Sequence, residues 1–300
     1  TRPVSINSTT VLRAIASKAG MVPTNVDAKS FLYTADIIQQ GNMISSVVDS
    51  STYRNEIQPA LRRLPVVSLS FSRGDILGVN GIHSRFWLTG RTSERGVHFE
   101  YFDPANPEDS THEPAGVRIH GGNSREHPKK NFRIYFRSDY GSSRLQHRIF
   151  PESPVDSFKH LLLRGGGHDA WTFRANWNNA SLIRNEFLHR LQREMGQPSP
   201  YGRMVSLFLN GEYWGIYELQ ECPYADYNAD HNGGDPEDWD VIKHGAEVED
   251  GNSAAWNELM RLAEAGISND SEYAAIQRFI DVDNFSDALI HRIWSSDEDW

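Results

Sequence analysis

The sequence predicts an α+β protein, a β-rich half followed by a largely helical one, and three observations carry that reading. Val205 to Leu219, VSLFLNGEYWGIYEL, is a hairpin around Asn210-Gly211, a pair suited to a two-residue turn with positive φ at both positions. From about Ser181 to Met195, the residues Ile183, Phe187, Leu188, Leu191 and Met195 recur at three- and four-residue spacing, and Gly196 supplies a stop. Beyond the acidic segment Asp226 to Asp250 the apolar spacing is helical again, over Ala254 to Ala265 and Val282 to Trp294.

Residues 1–36 read as strands without a full set of partners. Thr10 to Ala16 alternates, Gly20 and Pro23 punctuate, and Ala28 to Tyr33 forms another short run. About three strands cannot close a sandwich, so these residues are expected to be the tail of a partial β-sandwich module. Residues 37–63 form a polar, partly helical connector, and residues 64–300 form the main domain, which opens with the strands Pro65 to Ser70 and Gly96 to Phe102. In the hairpin, Val205, Leu207, Trp214 and Ile216 fall on one face and Phe208, Tyr213 and Tyr217 on the other. Both faces are apolar, so the sheet is expected to be covered on both sides, with Trp214 in the core.

With 300 residues, 38% hydrophobic and 11% aromatic, the chain can bury a sizeable core. A net charge of -10 argues against nucleic acid as the main partner. Cys222 is the single cysteine, which excludes an intramolecular disulfide, dithiol redox chemistry and a cysteine-rich zinc site. Neither a membrane span nor a signal peptide is visible, and the sequence says nothing of oligomeric state.

The basic residues are concentrated. Arg118, Arg125, Lys129, Lys130, Arg133 and Arg137 fall in or beside VRIHGGNSREHPKKNFRIYF, where a strand enters a glycine turn and leaves through twin lysines. Gly121 and Gly122 permit close backbone approach, Asn123 and Ser124 add donors, and the lysines place ammonium groups at the start of a strand. The stretch is not a Walker motif, because the spaced glycine, the Lys-Ser/Thr pair and the following helix are missing. By itself it supports no more than a hairpin with a charged rim. Its surroundings are those of a kinase small lobe: a strand lysine, a helix bearing Glu186, and a tight hairpin ending in the polar connector Glu218 to Glu221. The bland reading of Glu186 is a solvated helix position paired with Arg190. Strand alternation would put Lys129 and Lys130 on opposite faces, leaving one phosphate ligand of the two.

GVRIHGGNSREHPKKNFRIYFR, FKHLLLRGGGHDAW, LIRNEFLHRL and LFLNGEYWGIYELQE together resemble the CotH family, the spore-coat protein H group of atypical kinases, over roughly Leu64 to Trp300. Residues 1–35 resemble the last strands of the β-sandwich modules at the C-terminus of chitobiase-type enzymes. The first resemblance implies a divergent protein-kinase-like fold, a β-rich small lobe with a truncated helical large lobe. It also implies transfer of the ATP γ-phosphoryl group to protein Ser/Thr with Mg2+ or Mn2+. Gly121, Gly122, Asn123, Ser124 and Arg125 would cover phosphates, Lys129 or Lys130 would contact them, Glu186 would partner that lysine, and Glu218 to Cys222, Glu221 among them, would border the adenine. Asp299, in Asp299-Trp300, would be the catalytic aspartate. The family's second, metal-holding aspartate is expected beyond Trp300, so these residues alone are expected to bind nucleotide at most. The resemblance further implies an extracellular or cell-surface location within a larger protein. The alternative from another class is a non-catalytic surface or carbohydrate-binding protein that retains the fold; a phosphosugar could replace the nucleotide in the basic run.

Other patterns are weaker. Asn228, Asp230, Asn232 and Gly233 match half of a calcium loop, but Trp239 stands where a bidentate Glu is needed. His168-Asp169, after three glycines, is either a functional pair or a hydrogen-bonded bend. Asp281 and Asp283 are expected to cap the last helix.

Overall fold

The computed structural model of the chain describes residues 3–173 and 177–297, which divide into two compact units. The first holds a closed barrel. Its strands are β3 (Val66–Ser70), β4 (Arg95–Asp103), β5 (Asn106–His120), β6 (Asn131–Tyr135), β9 (His160–Arg164), β10 (Gly202–Leu209) and β11 (Glu212–Glu221), in the order β10-β11-β9-β6-β5-β4-β3. Closure comes from the pairing of β10 with β3, the parallel neighbours, in the register Leu207 to Val67 and Leu209 to Leu69. The seven strands so closed leave the barrel itself without an edge strand. Two short strands, β7 (Leu145–Gln146) and β8 (Ser157–Phe158), pair beside it.

Paired residues share a face, and the pairs Val67 with Tyr101, Leu69 with Phe99, Ile119 with Phe132 and Ile134 with Leu161 fill the barrel interior. Each is at most 4% exposed. The opposite face of β3 and β10 is covered as well: Val66 and Phe208 pack with Ile37 and Leu61 from the connector. The connector is helical in single turns, α1 (Thr34–Ile37), α2 (Ser45–Val48) and α3 (Ile57–Ala60), with α4 (Arg73–Ile76) following β3. This accounts for the apolar run PVVSLS, buried at every strand position.

The expected sandwich tail takes another form. Among the described residues before α1 there are two strands, β1 (Thr10–Ala14) and β2 (Asp27–Phe31), paired antiparallel. Ser30 donates its amide and hydroxyl to the buried Glu100 of β4 and meets the Ser68 hydroxyl at 2.8 Å. The hairpin thus takes its burial from the barrel and not from a second sheet.

The Asn210-Gly211 turn has φ of 51° and 81°, as the sequence predicts. The strands after it do not run straight. Leu207 faces Gly215 and Phe208 faces Tyr213, so Trp214 is an extra residue, bulged out at Gly215 with φ 113°. Trp214 is therefore half-buried, edge-on to His83, and not core. The bulge moves Tyr217 opposite Val205, onto the interior face where Ile216 was expected.

The second unit is mainly helical: α5 (Arg184–Glu194), α6 (Ala225–Asn232), α7 (Ala254–Ala265), α8 (Asp270–Ile276) and α9 (Val282–Ser295), with a small ribbon of β12 (Val241–Ile242) and β13 (Val248–Asp250). Asp281 caps α9 through the Asn284 amide, and Asp283 lies in its first turn. The acidic segment opens in helix α6, which takes in its first seven residues, Asp226 to Asn232. The apolar stripe read on α5 is only partly covered, with Phe187 half exposed. No helix among the described residues is long and apolar enough to cross a membrane.

Candidate functional site

The glycine turn is built by its own cations. After β5, Gly121 adopts φ 120°, where a Cβ would collide with Ser124 Oγ, whereas Gly122 faces open space. Asn123 to Glu126 then make one 3-10 turn. Arg125 donates Nε to the Phe86 carbonyl at 2.7 Å, Nη1 to Ile119 at 2.7 Å and Nη2 to Leu88 at 2.6 Å. Lys130 donates Nζ to the carbonyls of Arg125 at 2.7 Å and His127 at 3.1 Å, and the same ammonium lies 4.3 Å from the Phe86 ring centre. Burial lowers the pKa of both groups. Backbone carbonyls take a donor from each guanidinium nitrogen of Arg125 and two of the three donors of Lys130, so these two cations chiefly shape the turn.

Lys129 differs. Its Nζ donates to one carbonyl, that of Ile216, and sits 4.7 Å from the centre of the Tyr217 ring. Burial pulls its pKa down to about 8. Two glycines make room for it. A Cβ on Gly165 would sit 2.7 Å from the Lys129 carbonyl oxygen and 3.0 Å from its Cγ, and one on Gly215 would touch Cε at 3.9 Å. Asn131 fixes the first of these by accepting the Gly165 amide at 2.7 Å. Because β6 begins only at Asn131, strand alternation does not govern the lysines. An ammonium has three donors, and Lys129 keeps capacity in reserve.

Arg164, the last residue of β9 and the neighbour of Gly165 in the chain, is half-buried, with its pKa lowered by desolvation and partly restored by the buried Glu218 of β11. Arg164 and Tyr217 were not singled out from the sequence. Gly215 inside a strand was the available signal for the bulge that presents Tyr217.

Two further expected site residues, Glu186 and Glu221, lie in the second unit. Glu186 pairs with Arg193 at 2.8 Å, not with Arg190, which faces Glu194 and Glu152. Burial raises the Glu186 pKa against the pull of Arg193, and its Oε2 is buried without a hydrogen-bond partner among the described residues. Glu221 is tied down: it accepts from His231 Nε2 at 3.0 Å and from the Tyr201 amide at 2.9 Å. Asp299 lies outside the described residues.

The rest of the basic run is dispersed. The buried Glu94 faces Arg91, Arg118 at 3.2 Å and Arg137 at 3.3 Å, and Arg118, Arg133 and Arg137 stack on Tyr135. His168 packs on Phe173 with ring centres 4.5 Å apart, while Asp169 accepts the Ser181 amide at 2.7 Å. That pair serves a bend.

The glycine turn, Lys129, the β9 end and the hairpin all belong to a region that the CotH kinase protein family model spans from residue 117 to residue 300. The match does not reach residues 1–36. No curated protein matches the chain. With more than half of its length matched, the chain belongs to the CotH kinase protein family.

Proposed function

We propose that the protein is an atypical protein kinase of the CotH type, which transfers the γ-phosphoryl group of ATP to a protein Ser/Thr hydroxyl with Mg2+ or Mn2+. The observation that carries this reading is Lys129: a partly desolvated ammonium with unused donors, held over Tyr217 beside a glycine turn with one open face. An amine in that setting gains most from an anion that arrives with its own charge. The fit is selective. Gly122 and Lys129 suit a phosphate chain, whereas Arg125 and Lys130 have most of their donors on backbone carbonyls.

ATP with its divalent cation supplies the phosphoryl group and neutralises charge on the phosphates. In this reading Lys129 orients the phosphates, and the glycine turn excludes water around them. A role for Glu186 as the acid of the kinase layout rests on the family pattern alone. Asp299 takes the hydroxyl proton as the acceptor oxygen bonds to phosphorus and ADP leaves; its role rests on the family pattern. An extracellular or cell-surface setting belongs to the same reading and rests on the resemblance alone.

Calorimetric titration of ATP and ADP with Mg2+ or Mn2+ tests it. Saturable binding that Lys129→Met removes is expected, as is loss, in Asp299→Ala, of phosphate transfer by a chain that continues past Trp300 and carries the second aspartate. Absence of nucleotide binding in the unaltered protein, or equal binding by Lys129→Met, overturns the reading.

A further inference from the structure

We propose that Asp27, His98 and His112 form a binding site for a divalent ion of the zinc type, which clasps the N-terminal hairpin to the barrel. The residues come from β2, β4 and β5. Glu100 lies opposite His112 in the β4–β5 register, so His98, two residues away, shares that face and lies diagonal to it. The bonds from Ser30 to Glu100 hold β2 against the same face. They leave Asp27 Oδ1 at 3.5 Å from His98 Nε2. One ligand atom from each of the three residues lies within 4.8 Å of the others.

The state of His98 points to a ligand. It is 5% exposed, yet neither ring nitrogen has a hydrogen-bond partner among the described residues. Leaving a buried imidazole unpartnered is costly, and a metal ion on Nε2 removes the cost. Glu100 is occupied by Ser30 and Glu113 by Ser142, which leaves Asp27 as the carboxylate to coordinate.

Two imidazoles and one carboxylate suit Zn2+, Co2+ or Ni2+ better than Mg2+. Bonds of about 2.0–2.1 Å in a tetrahedron place ligand atoms roughly 3.4 Å apart. Asp27 and His98 already stand at that spacing, and Asp27 and His112 are exposed, so their side chains are free to close on the ion. A fourth position remains for water. The site is separate from the phosphoryl-transfer reading, because all three residues precede the matched region.

The test is titration of Zn2+ and Co2+ into chelator-stripped protein, followed by calorimetry, Co2+ absorption and hydrogen exchange of the β1 and β2 amides. The expected result is one equivalent bound with micromolar or tighter affinity, a Co2+ spectrum with nitrogen ligation, and slowed exchange in the hairpin. His112→Ala and Asp27→Asn, both at exposed positions and checked by circular dichroism, are each expected to weaken binding at least about tenfold and to abolish the slowing. Several weak equivalents, no binding, or affinity unchanged in both variants overturns the proposal.

Discussion

The Tyr217 ring lies 4.7 Å beneath the Lys129 ammonium, placed there by the bulge at Trp214. That contact only partly offsets desolvation, since the amine pKa falls from 10.5 to about 8. Between those values the folded chain holds fewer protons than the unfolded one, so stability rises with pH across that window. Below pH 8 the charged amine is buried at a cost on the order of 3 kcal/mol at most. Lys129→Met is therefore expected to stabilise the protein by about 1–3 kcal/mol at pH 7, with the gain shrinking by pH 9.5. Urea unfolding at the two pH values measures it; a variant less stable at pH 7 would mean that the Ile216 and Tyr217 contacts outweigh desolvation.

The same amine makes nucleotide binding proton-linked. Phosphate oxygens beside Lys129 favour its charged form and push the pKa back up. At pH 8.5 most of the free amine is neutral, so binding of ATP should take up about half a proton or more. Calorimetry in buffers of different ionisation enthalpy reads that number directly. Affinity should fall as pH rises above 8, and Lys129→Met should abolish the uptake.

Arg125 separates structure from recognition. Its guanidinium satisfies carbonyls of Phe86, Ile119 and Leu88, and Arg125→Ala leaves all three to find other partners. The expected loss is about 3 kcal/mol, and Arg125→Lys should recover little of it because an ammonium cannot reproduce the fork. Among molecules that remain folded at low temperature, nucleotide affinity should fall far less than in Lys129→Met. The reverse order of effects would return Arg125 to the phosphates.

What could be read from the sequence was local, and what could not was decided by distant partners. Asn210-Gly211 announced its turn because two adjacent positive φ values suit few residue pairs. Asp281 announced a cap for the same kind of reason, a short acceptor ahead of an apolar period. The parallel closure of β10 on β3 joins residues far apart in the chain, and no spacing rule predicts it. Lys129 and Lys130 look alike in sequence. They are told apart by Arg125, His127 and Ile216 carbonyls, which every residue carries and no motif records. The β4–β5 register unites His98 with His112, and the Ser30–Glu100 bonds bring Asp27 to them, so twelve histidines in sequence gave no hint of which two meet.

Register also makes a glycine testable. Gly116 pairs with Gly96 on one side and Tyr135 on the other, and a Cβ there would meet Glu94 Oε1 at 2.5 Å and Tyr140 Cε2 at 2.7 Å. Glu94 is buried and faces Arg91, Arg118 and Arg137, so it cannot yield without disturbing three cations. Gly116→Ala should cost about 1–3 kcal/mol. Gly96→Ala is the control, because its Cβ would find Tyr140 at an ordinary 3.6 Å, and it should change stability by about 0.5 kcal/mol or less. If the clash with Glu94 is the cause, Gly116→Ala should cost less once Glu94→Ala has emptied that space. A double-mutant cycle in urea should then show a coupling of roughly 0.5–3 kcal/mol, whereas strict additivity would assign the cost to the strand backbone.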